Sequence, residues 1–598
     1  MSHTLLDVQD LSVSFGRGDG RQKAVRNLSY TLGHGETLAI VGESGSGKSV
    51  SSMALLGLLP PRTAHIESGR ALFEDTDLLS LNARQQRALR GDRMAMIFQE
   101  PMTSLTPVLR VGLQLTEPLI EHKGMSRPQA EARAREMLET VGLEPAVKRM
   151  RQFPHELSGG MRQRVMIAMA MAADPAILIA DEPTTALDVT IQAEILQLMD
   201  RLKQQFGTSL ILITHDMGVV AETADRVVVM KEGEKVEEGD VRTIFARPTQ
   251  LYTQSLLASV PRLGARAGEA GPRRVTDRKT MSTTTPADAP VGGRDDRRPL
   301  VQARGISKTF RDRVWLFGKG KVAAQAMSDI DFDLPEGETL ALVGESGSGK
   351  STTGRAILRL IEVDAGRIEV DGTDLRGLSH SALRRRRRIM QMIFQDPFAS
   401  LNPRMSAGRL VAEPMVIHDL ARGHELTDRV AELFRRVGLQ EDYINRYPHE
   451  FSGGQRQRLC IARALGAGPK LMVADEPTSA LDVSVQAQVL DLMLELQESL
   501  GLAYLFISHD MAVVEQIAHR VAVMRQGRIV ELGPRQSVLG NPRHPYTQAL
   551  LAAVPVPDPT RPRGALPSVD LETLPTGPLI EVQPGHLVAS DDRSAAAA

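Results

Sequence analysis

The sequence predicts an α/β fold built twice over, each copy a mixed-sheet core with an inserted helical subdomain. Three observations predict it. First, long motifs recur in the same order in both halves. VGESGSGKS occupies Val41–Ser49 and Val343–Ser351, and MIFQEP at Met96–Pro101 returns as MIFQDP at Met392–Pro397. SGGMRQR at Ser158–Arg164 returns as SGGQRQR at Ser452–Arg458, and ADEPTTALDV at Ala180–Val189 as ADEPTSALDV at Ala474–Val483. YTQSLLASVP at Tyr252–Pro261 returns as YTQALLAAVP at Tyr546–Pro555. Second, short apolar runs in each half read as buried strands. Third, helical stretches separate them.

The spacing sets the organisation. Lys48 and Lys350 stand 302 positions apart, Gln99 and Gln395 296, and His215 and His509 294. That period is far too long for a solenoid and implies two homologous domains. The first spans 1–260 and the second 300–555. Between them, 261–299 is rich in Gly, Pro, Thr and charge, so it reads as a flexible linker. Beyond lies a Pro-rich tail, 556–598, expected to be loosely ordered.

The elements follow in order. TLAIV and TLALV run into glycine-rich loops, reading as strand then turn. AILIAD, LMVAD, LILIT and YLFIS read as buried strands. Between Gln99 and Ser158 the pattern turns helical. In SRPQAEARAREMLETVGL, Ser126 is a candidate N-cap, Pro128 lies in the first turn and Gly142 is the stop.

Composition bounds the function. The chain has 598 residues, enough for several cores, and 72 basic against 73 acidic side chains give a net charge of −1. Such balance does not advertise nucleic acid as the main partner. Cys460 is the only cysteine and Trp315 the only tryptophan. One cysteine closes no intrachain disulfide and builds no zinc or iron–sulfur site alone. The longest purely apolar run, Val165–Ala173, is about half of what crosses a bilayer. The N-terminus lacks the features of a signal peptide. The expectation is a protein of a reducing compartment without its own membrane span.

The motifs carry phosphate chemistry. GESGSGKS fits G-x-x-x-x-G-K-[ST], in Gly42, Glu43, Ser44, Gly45, Ser46, Gly47, Lys48 and Ser49, and in Gly344, Glu345, Ser346, Gly347, Ser348, Gly349, Lys350 and Ser351. Its backbone N–H groups cradle phosphate oxygens, aided by the following helix N-terminus. Lys48 and Lys350 suit the β/γ-phosphates, and Ser49 and Ser351 a Mg²⁺ ion. Asp181 and Asp475 end apolar strands, where α/β sheets bind ligands, and also suit Mg²⁺. Glu182 and Glu476 follow, placed to polarise the water that attacks a γ-phosphate. His215 and His509 also end apolar strands and can contact that phosphate or orient water. Gln99 and Gln395 can touch metal or water without titrating. Ser158, Gly159 and Gly160, like Ser452, Gly453 and Gly454, open helices and read as a second phosphate-binding element.

Those motifs in that order resemble an ABC-transporter nucleotide-binding subunit with two cassettes fused in one chain. GESGSGKS matches the Walker A loop, Gln99 and Gln395 the Q-loop, and LSGGM and FSGGQ the signature. ILIADE and LMVADE match Walker B, ALD the D-loop, and His215 and His509 the H-loop. Phe15 and Phe310 match the aromatic that stacks on adenine, with an apolar strand residue as the lesser alternative. The resemblance implies a head-to-tail sandwich with two composite ATP sites, Lys48 and Glu182 sharing one nucleotide with Ser452 and Gly454, and Lys350 and Glu476 the other with Ser158 and Gly160. Both sites keep Lys, Glu and His, so both are expected to hydrolyse ATP. Met161 and Phe451 depart mildly from the family pattern.

Within that family the chain is most similar to importers of dipeptides, oligopeptides and glutathione. EPMTSLTPV at Glu100–Val108, DPFASLNP at Asp396–Pro403, HPYTQALL at His544–Leu551 and PGHLVAS at Pro584–Ser590 carry the likeness. The C-terminal cysteine cluster of many single-cassette relatives is absent, so no iron–sulfur cluster is expected and Cys460 reads as core. The resemblance implies ATP and Mg²⁺ as ligands. It implies two integral membrane permease subunits as partners, a solute-binding protein as an indirect one, and a peripheral place on the cytoplasmic face of the inner membrane. An alternative is a soluble twin-cassette ATPase acting on ribosomes or nucleic acid, but 261–299 is short and broken by Pro and Gly. The run Arg384–Arg388 reads as a solvated helix face.

Overall fold

The computed structural model describes residues 4–99, 104–185, 187–269, 271–274, 298–311, 322–479, 481–561 and 574–590. Glu100–Thr103, Ala186, Ala480, Trp315 and the centre of the expected linker lie outside them. The chain divides into two compact units. One comprises Met1–Val260, Asp482–Ser484 and Pro555–Gly564, and the other Pro261–Leu481, Val485–Val554 and Ala565–Ala598.

The first unit has two sheets. The strands β1 (Thr4–Phe15), β2 (Gln22–Gly33), β4 (Ala64–Phe73) and β5 (Thr76–Asp77) form an antiparallel sheet in the order β2-β1-β4-β5. The strands β3 (Thr37–Val41), β6 (Met94–Ile97), β7 (Ile177–Asp181), β8 (Ser209–Ile213), β9 (Arg226–Lys231) and β10 (Glu234–Asp240) form the second, ordered β10-β9-β3-β8-β7-β6. Only the β9–β10 pairing in it is antiparallel. β3, β7 and β8 are buried along their whole lengths, which is why their sequences run apolar instead of alternating.

The inserted helices lie where the periodicity placed them, at Val111–Lys123, Arg127–Thr140 and Ala146–Arg151, before the long helix Gly159–Met171. Gln129 Oε1 accepts from Ser126 N and Oγ at 2.9 and 2.7 Å, fixing the start of Arg127–Thr140. Gly142, at φ +74°, ends the turn. Leu115, Ala134, Met137, Leu138, Val165 and Ile167 pack this subdomain onto the core.

The second unit repeats the plan. Its antiparallel sheet holds β11 (Pro299–Arg311), β12 (Val322–Pro335), β14 (Ala365–Val370) and β15 (Thr373–Asp374). Its other sheet holds β13 (Thr339–Val343), β16 (Met390–Ile393), β17 (Leu471–Asp475), β18 (Ala503–Ile507), β19 (Arg520–Arg525) and β20 (Arg528–Pro534). The helix Gly453–Leu465 corresponds to Gly159–Met171. Cys460 sits in it, buried among Leu459, Ile461 and Phe434, and burial pushes its thiol pKa up.

Two segments differ from expectation. The tail is not loose throughout: β21 (Leu579–Gln583) and β22 (His586–Ala589) form a hairpin, and β22 pairs with β20 through Glu531↔Val588 and Leu532↔Leu587. The sheet thereby reaches eight strands. The buried pair His586 Nε2 to Glu531 Oε1, at 2.8 Å, anchors it. The residues 261–269, expected as part of a flexible linker, pack on the second unit. Gly264 N donates to Glu515 Oε2 at 2.9 Å, and Arg535 and Gln536 donate to the Glu269 carbonyl. The cause is chemical: Glu515 and Arg535 are buried charges that need partners, and this segment supplies them. The arginine run is partly structural as well. Arg386 pairs with Asp371 at 3.4 Å and Arg387 donates to the Arg359 carbonyl at 2.9 Å, while Arg384, Arg385 and Arg388 are exposed.

Among the described residues, no helix is long and apolar enough to cross a membrane.

Candidate functional site

In each unit the glycine loop, the strand-end aspartate with its following glutamate, and the histidine come together at the carboxyl ends of three adjacent parallel strands, β3-β8-β7 and β13-β18-β17. The register Asp181↔Ile213 and Asp475↔Ile507 puts the strand-end carboxylates level with the strands that deliver His215 and His509.

The glycine-rich loops follow β3 and β13 and enter the helices Lys48–Leu55 and Lys350–Ile357. Gly47 and Gly349 cap these helices at φ +94° and +103°. A Cβ there would come within 2.4 Å of the Ala24 carbonyl oxygen and 2.3 Å of that of Ala326, so only glycine fits. Lys48 Nζ donates to the carbonyls of Gly42 and Glu43, both at 2.8 Å. Lys350 Nζ donates to those of Gly344 and Glu345 at 2.6 and 2.8 Å. Burial lowers the Lys48 pKa against the opposing pull of Glu182 and Asp181. The ammonium is thus held desolvated inside its own loop, where an anionic phosphate gains most from it.

Ser49 Oγ donates to Asp181 Oδ1 at 3.0 Å, and Ser351 Oγ to Asp475 Oδ1 at 2.7 Å. Both aspartates are buried, and burial raises their pKa against those hydrogen bonds. A hydroxyl and one carboxylate are hard oxygen donors, and they fit Mg²⁺, which keeps several waters and takes few protein ligands beside substrate phosphates. Ser49 with Asp181, and Ser351 with Asp475, would hold it, and bound there it would neutralise phosphate charge.

Glu182 and Glu476 carry the least ordinary backbone of the site, both at φ +47°. That left-handed conformation is costly for a side-chain-bearing residue and is found where surrounding structure enforces it. Glu182 N donates to the Ile213 carbonyl at 2.8 Å and Glu476 N to that of Ile507 at 3.0 Å, which pins the turn. The carboxylates are then fixed by side chains. His215 Nδ1 lies 3.0 Å from Glu182 Oε1, and Gln99 Nε2 donates to Glu182 Oε2 at 2.7 Å. His509 Nδ1 lies 3.2 Å from Glu476 Oε1, and Gln395 Nε2 donates to Glu476 Oε2 at 2.9 Å. Burial works to raise the Glu182 pKa, but His215, Thr185 and Gln99 together bring it down to about 2. The Glu476 pKa is lowered too, His509 again outweighing burial. For His215, burial opposes the charged ring, yet Glu182 raises its pKa overall.

The two carboxylates differ in one partner. Thr185 Oγ1 donates to Glu182 Oε2 at 2.9 Å, whereas Ser479 Oγ donates to the Glu476 backbone carbonyl at 3.1 Å. Gln99 and Gln395, expected to contact metal or water, donate through their amide nitrogens to the glutamates.

The second glycine element caps the helices Gly159–Met171 and Gly453–Leu465. Ser158 Oγ accepts from Met161 N and Ser452 Oγ from Gln455 N, both at 3.3 Å. Gln455 Oε1 also accepts from Ser452 N at 3.0 Å, a return bond that Met161 cannot make. A Cβ on Gly160 would meet Ile191 at 2.8 Å, and one on Gly454 would meet Val485 at 2.2 Å. Phe15 is partly buried against the core, while Phe310 is 43% exposed with the Lys308 ammonium 5.8 Å above its ring.

One pair of site residues is not evident from the motifs. Tyr252 and Tyr546, in the helices Leu251–Ser259 and Pro545–Ala552, place their hydroxyls 3.3 and 3.1 Å from Glu43 N and Glu345 N of the glycine loops. Their only sequence signal is the repeat of YTQ itself.

Comparison with known proteins agrees with this geometry. The family profile described as ABC transporter matches 25–185 and 327–479. A second, described as the C-terminal region of oligopeptide/dipeptide transporters, matches 236–285 and 530–577. The chain is 52% identical over 611 residues to the glutathione import ATP-binding protein GsiA of Salmonella paratyphi A, covering 98% of this chain and 97% of that protein. It is 51% identical over 604 residues to the protein of that name from Escherichia coli K12, covering 98% and 96%. It is 50% identical over 609 residues to that of Pectobacterium atrosepticum, again covering 98% and 96%.

Proposed function

This chain belongs to the ABC transporter family, and on that premise we propose that it is the ATP-hydrolysing subunit of a peptide importer, acting on separate membrane permease subunits. The observation that carries the reading is the repeated constellation of loop lysine, strand-end aspartate, left-handed glutamate and strand-end histidine, held within each unit by the bonds above. The oligopeptide-type C-terminal region in both copies supports peptide as the cargo class, and the relatives named for glutathione import support that tripeptide in particular.

The proposed chemistry uses the chain's own groups. Loop N–H groups and the Lys48 or Lys350 ammonium bind the triphosphate. Glu182 or Glu476, ionised at neutral pH, orients the attacking water and takes its proton as the water oxygen bonds to the γ-phosphorus and the bond to the departing ADP breaks. Such general-base assistance contributes about 10²–10⁴ in rate, roughly 3–5 kcal/mol. His215 and His509 hold that carboxylate in line, and Gln99 and Gln395 report its position to the helical subdomain, which begins directly after them. Phe15 and Phe310 are the proposed adenine platforms.

Uptake tests this reading. The chain would be assembled with its permease subunits in proteoliposomes, and labelled glutathione, a dipeptide and an oligopeptide offered in the presence of the cognate solute-binding protein. ATP-dependent uptake of at least one is expected. ATP hydrolysis that proceeds with no peptide uptake at all would contradict it.

A further inference from the structure

The helices Leu251–Ser259 and Pro545–Ala552 share an arrangement that the proposed chemistry does not use. Glu237 accepts from Thr249 N at 2.7 Å and Gln250 N at 3.2 Å, and so fixes the turn that starts Leu251–Ser259. Glu531 does the same 294 positions later, accepting from Arg543 N at 2.8 Å and His544 N at 3.1 Å before Pro545–Ala552. Each helix then presents one tyrosine to the glycine loop. A cation at the end of the adjoining strand covers each ring: Lys231 Nζ lies 5.1 Å from the Tyr252 centroid and Arg525 Cζ 5.7 Å from that of Tyr546. The tyrosine sits 209 positions from its loop contact in one unit and 201 in the other, so the contact is kept although the intervening chain differs in length.

We propose that Tyr252 and Tyr546 are positioning residues for ATP, each bracing its phosphate loop through the hydroxyl that accepts the Glu43 or Glu345 N–H. The physical case is preorganisation. A glycine-rich loop pays conformational entropy to hold its N–H groups inward, and a bond from a helix-anchored side chain reduces the states it must give up on binding. Glu43 and Glu345 open the stretch of loop backbone that wraps the phosphates, so fixing their N–H fixes its entry. Burial, with the charge of Glu43, pushes the Tyr252 pKa up to about 12, so its hydroxyl stays protonated at neutral pH. The brace lies in the region matched by the oligopeptide/dipeptide C-terminal profile, which gives that region a role at the nucleotide.

This inference rests on the reading of the glycine loops as ATP sites. Its test is equilibrium ATP binding and steady-state hydrolysis by the full-length chain carrying Tyr252→Phe and Tyr546→Phe, which remove only the hydroxyls. The expected result is a roughly two- to tenfold rise in both Kd and KM for ATP, the loss of one hydrogen bond per loop, with kcat nearly unchanged. Gln254→Ala and Gln548→Ala serve as controls, because each removes a helix-capping bond to Pro248 or Pro542 without touching a loop. An unchanged Kd in the Phe variant, or an equal rise in the Gln controls, would overturn the proposal. The binding readout does not depend on catalysis, so failure of the glutamates as catalytic groups would appear separately, as hydrolysis that survives their removal.

Discussion

Ser351 Oγ donates a 2.7 Å hydrogen bond to Asp475 Oδ1, joining the end of the phosphate loop to the end of a strand 124 positions later. Ser49 and Asp181 repeat it at 3.0 Å. The hydroxyl and carboxylate are therefore side by side in both units. Ser49→Ala with Ser351→Ala should raise the Mg²⁺ concentration for half-maximal ATP hydrolysis on the order of tenfold or more. A Mg²⁺ titration checks this, and an unchanged midpoint would remove the two serines from the metal site.

The pair of His215 and Glu182 predicts a pH dependence with a definite sign. The His215 pKa is raised by Glu182 against burial, so its contribution is present below about 6.5 and is lost as pH rises through the folded midpoint. The Glu182 pKa is lowered to about 2, so its contribution is present above about 4.5 and is lost only as pH falls toward that value. The pair therefore stabilises the site across the acidic range between these limits. In Glu182→Gln, the His215 midpoint followed by NMR should fall, because burial remains while its main support is gone. A midpoint that stays put would mean that Glu182 does not hold the ring.

Much of this was legible in the sequence, and the part that was not has a common cause. The loops, strand-end carboxylates and histidines are local motifs, and β3, β7, β8 and their counterparts are short apolar runs that any buried parallel strand must show. The left-handed Glu182 and Glu476 were invisible, because nothing in DEP fixes φ; the pinning bonds come from Ile213 and Ile507 on the next strand. The tyrosine braces were visible as a repeat but not as contacts, since about 200 positions separate their ends. Residues 261–269 look solvated because of their charge, yet buried Glu515 and Arg535 recruit them. PGHLVAS carried its own turn signal in Pro584-Gly585, and the hairpin forms there because His586 finds the buried Glu531.

The two sites should respond differently to loss of a hydroxyl. Thr185 touches the Glu182 carboxylate, and the branched threonine has fewer χ1 wells than serine, whereas Ser479 turns to the backbone. Thr185→Val should lower kcat by a few-fold with KM for ATP unchanged, about the effect of one hydrogen bond on a positioned base. Ser479→Ala should leave both constants unchanged. Equal effects from the two variants would contradict this asymmetry.

His586→Ala should loosen the C-terminal hairpin. It removes a donor from Glu531 inside the sheet and should destabilise the second unit by about 1–3 kcal/mol. Denaturant unfolding and amide exchange over residues 579–590 measure the loss. Unchanged stability with unchanged protection would mean that the buried pair does not anchor the hairpin.

The central claim is that Glu182 and Glu476 are the groups through which this chain hydrolyses ATP. Its most direct test is the double variant Glu182→Gln, Glu476→Gln, assayed for ATP binding and hydrolysis in the same preparation. ATP should still bind while hydrolysis falls about 10²–10⁴-fold. Hydrolysis at the unaltered rate would contradict it.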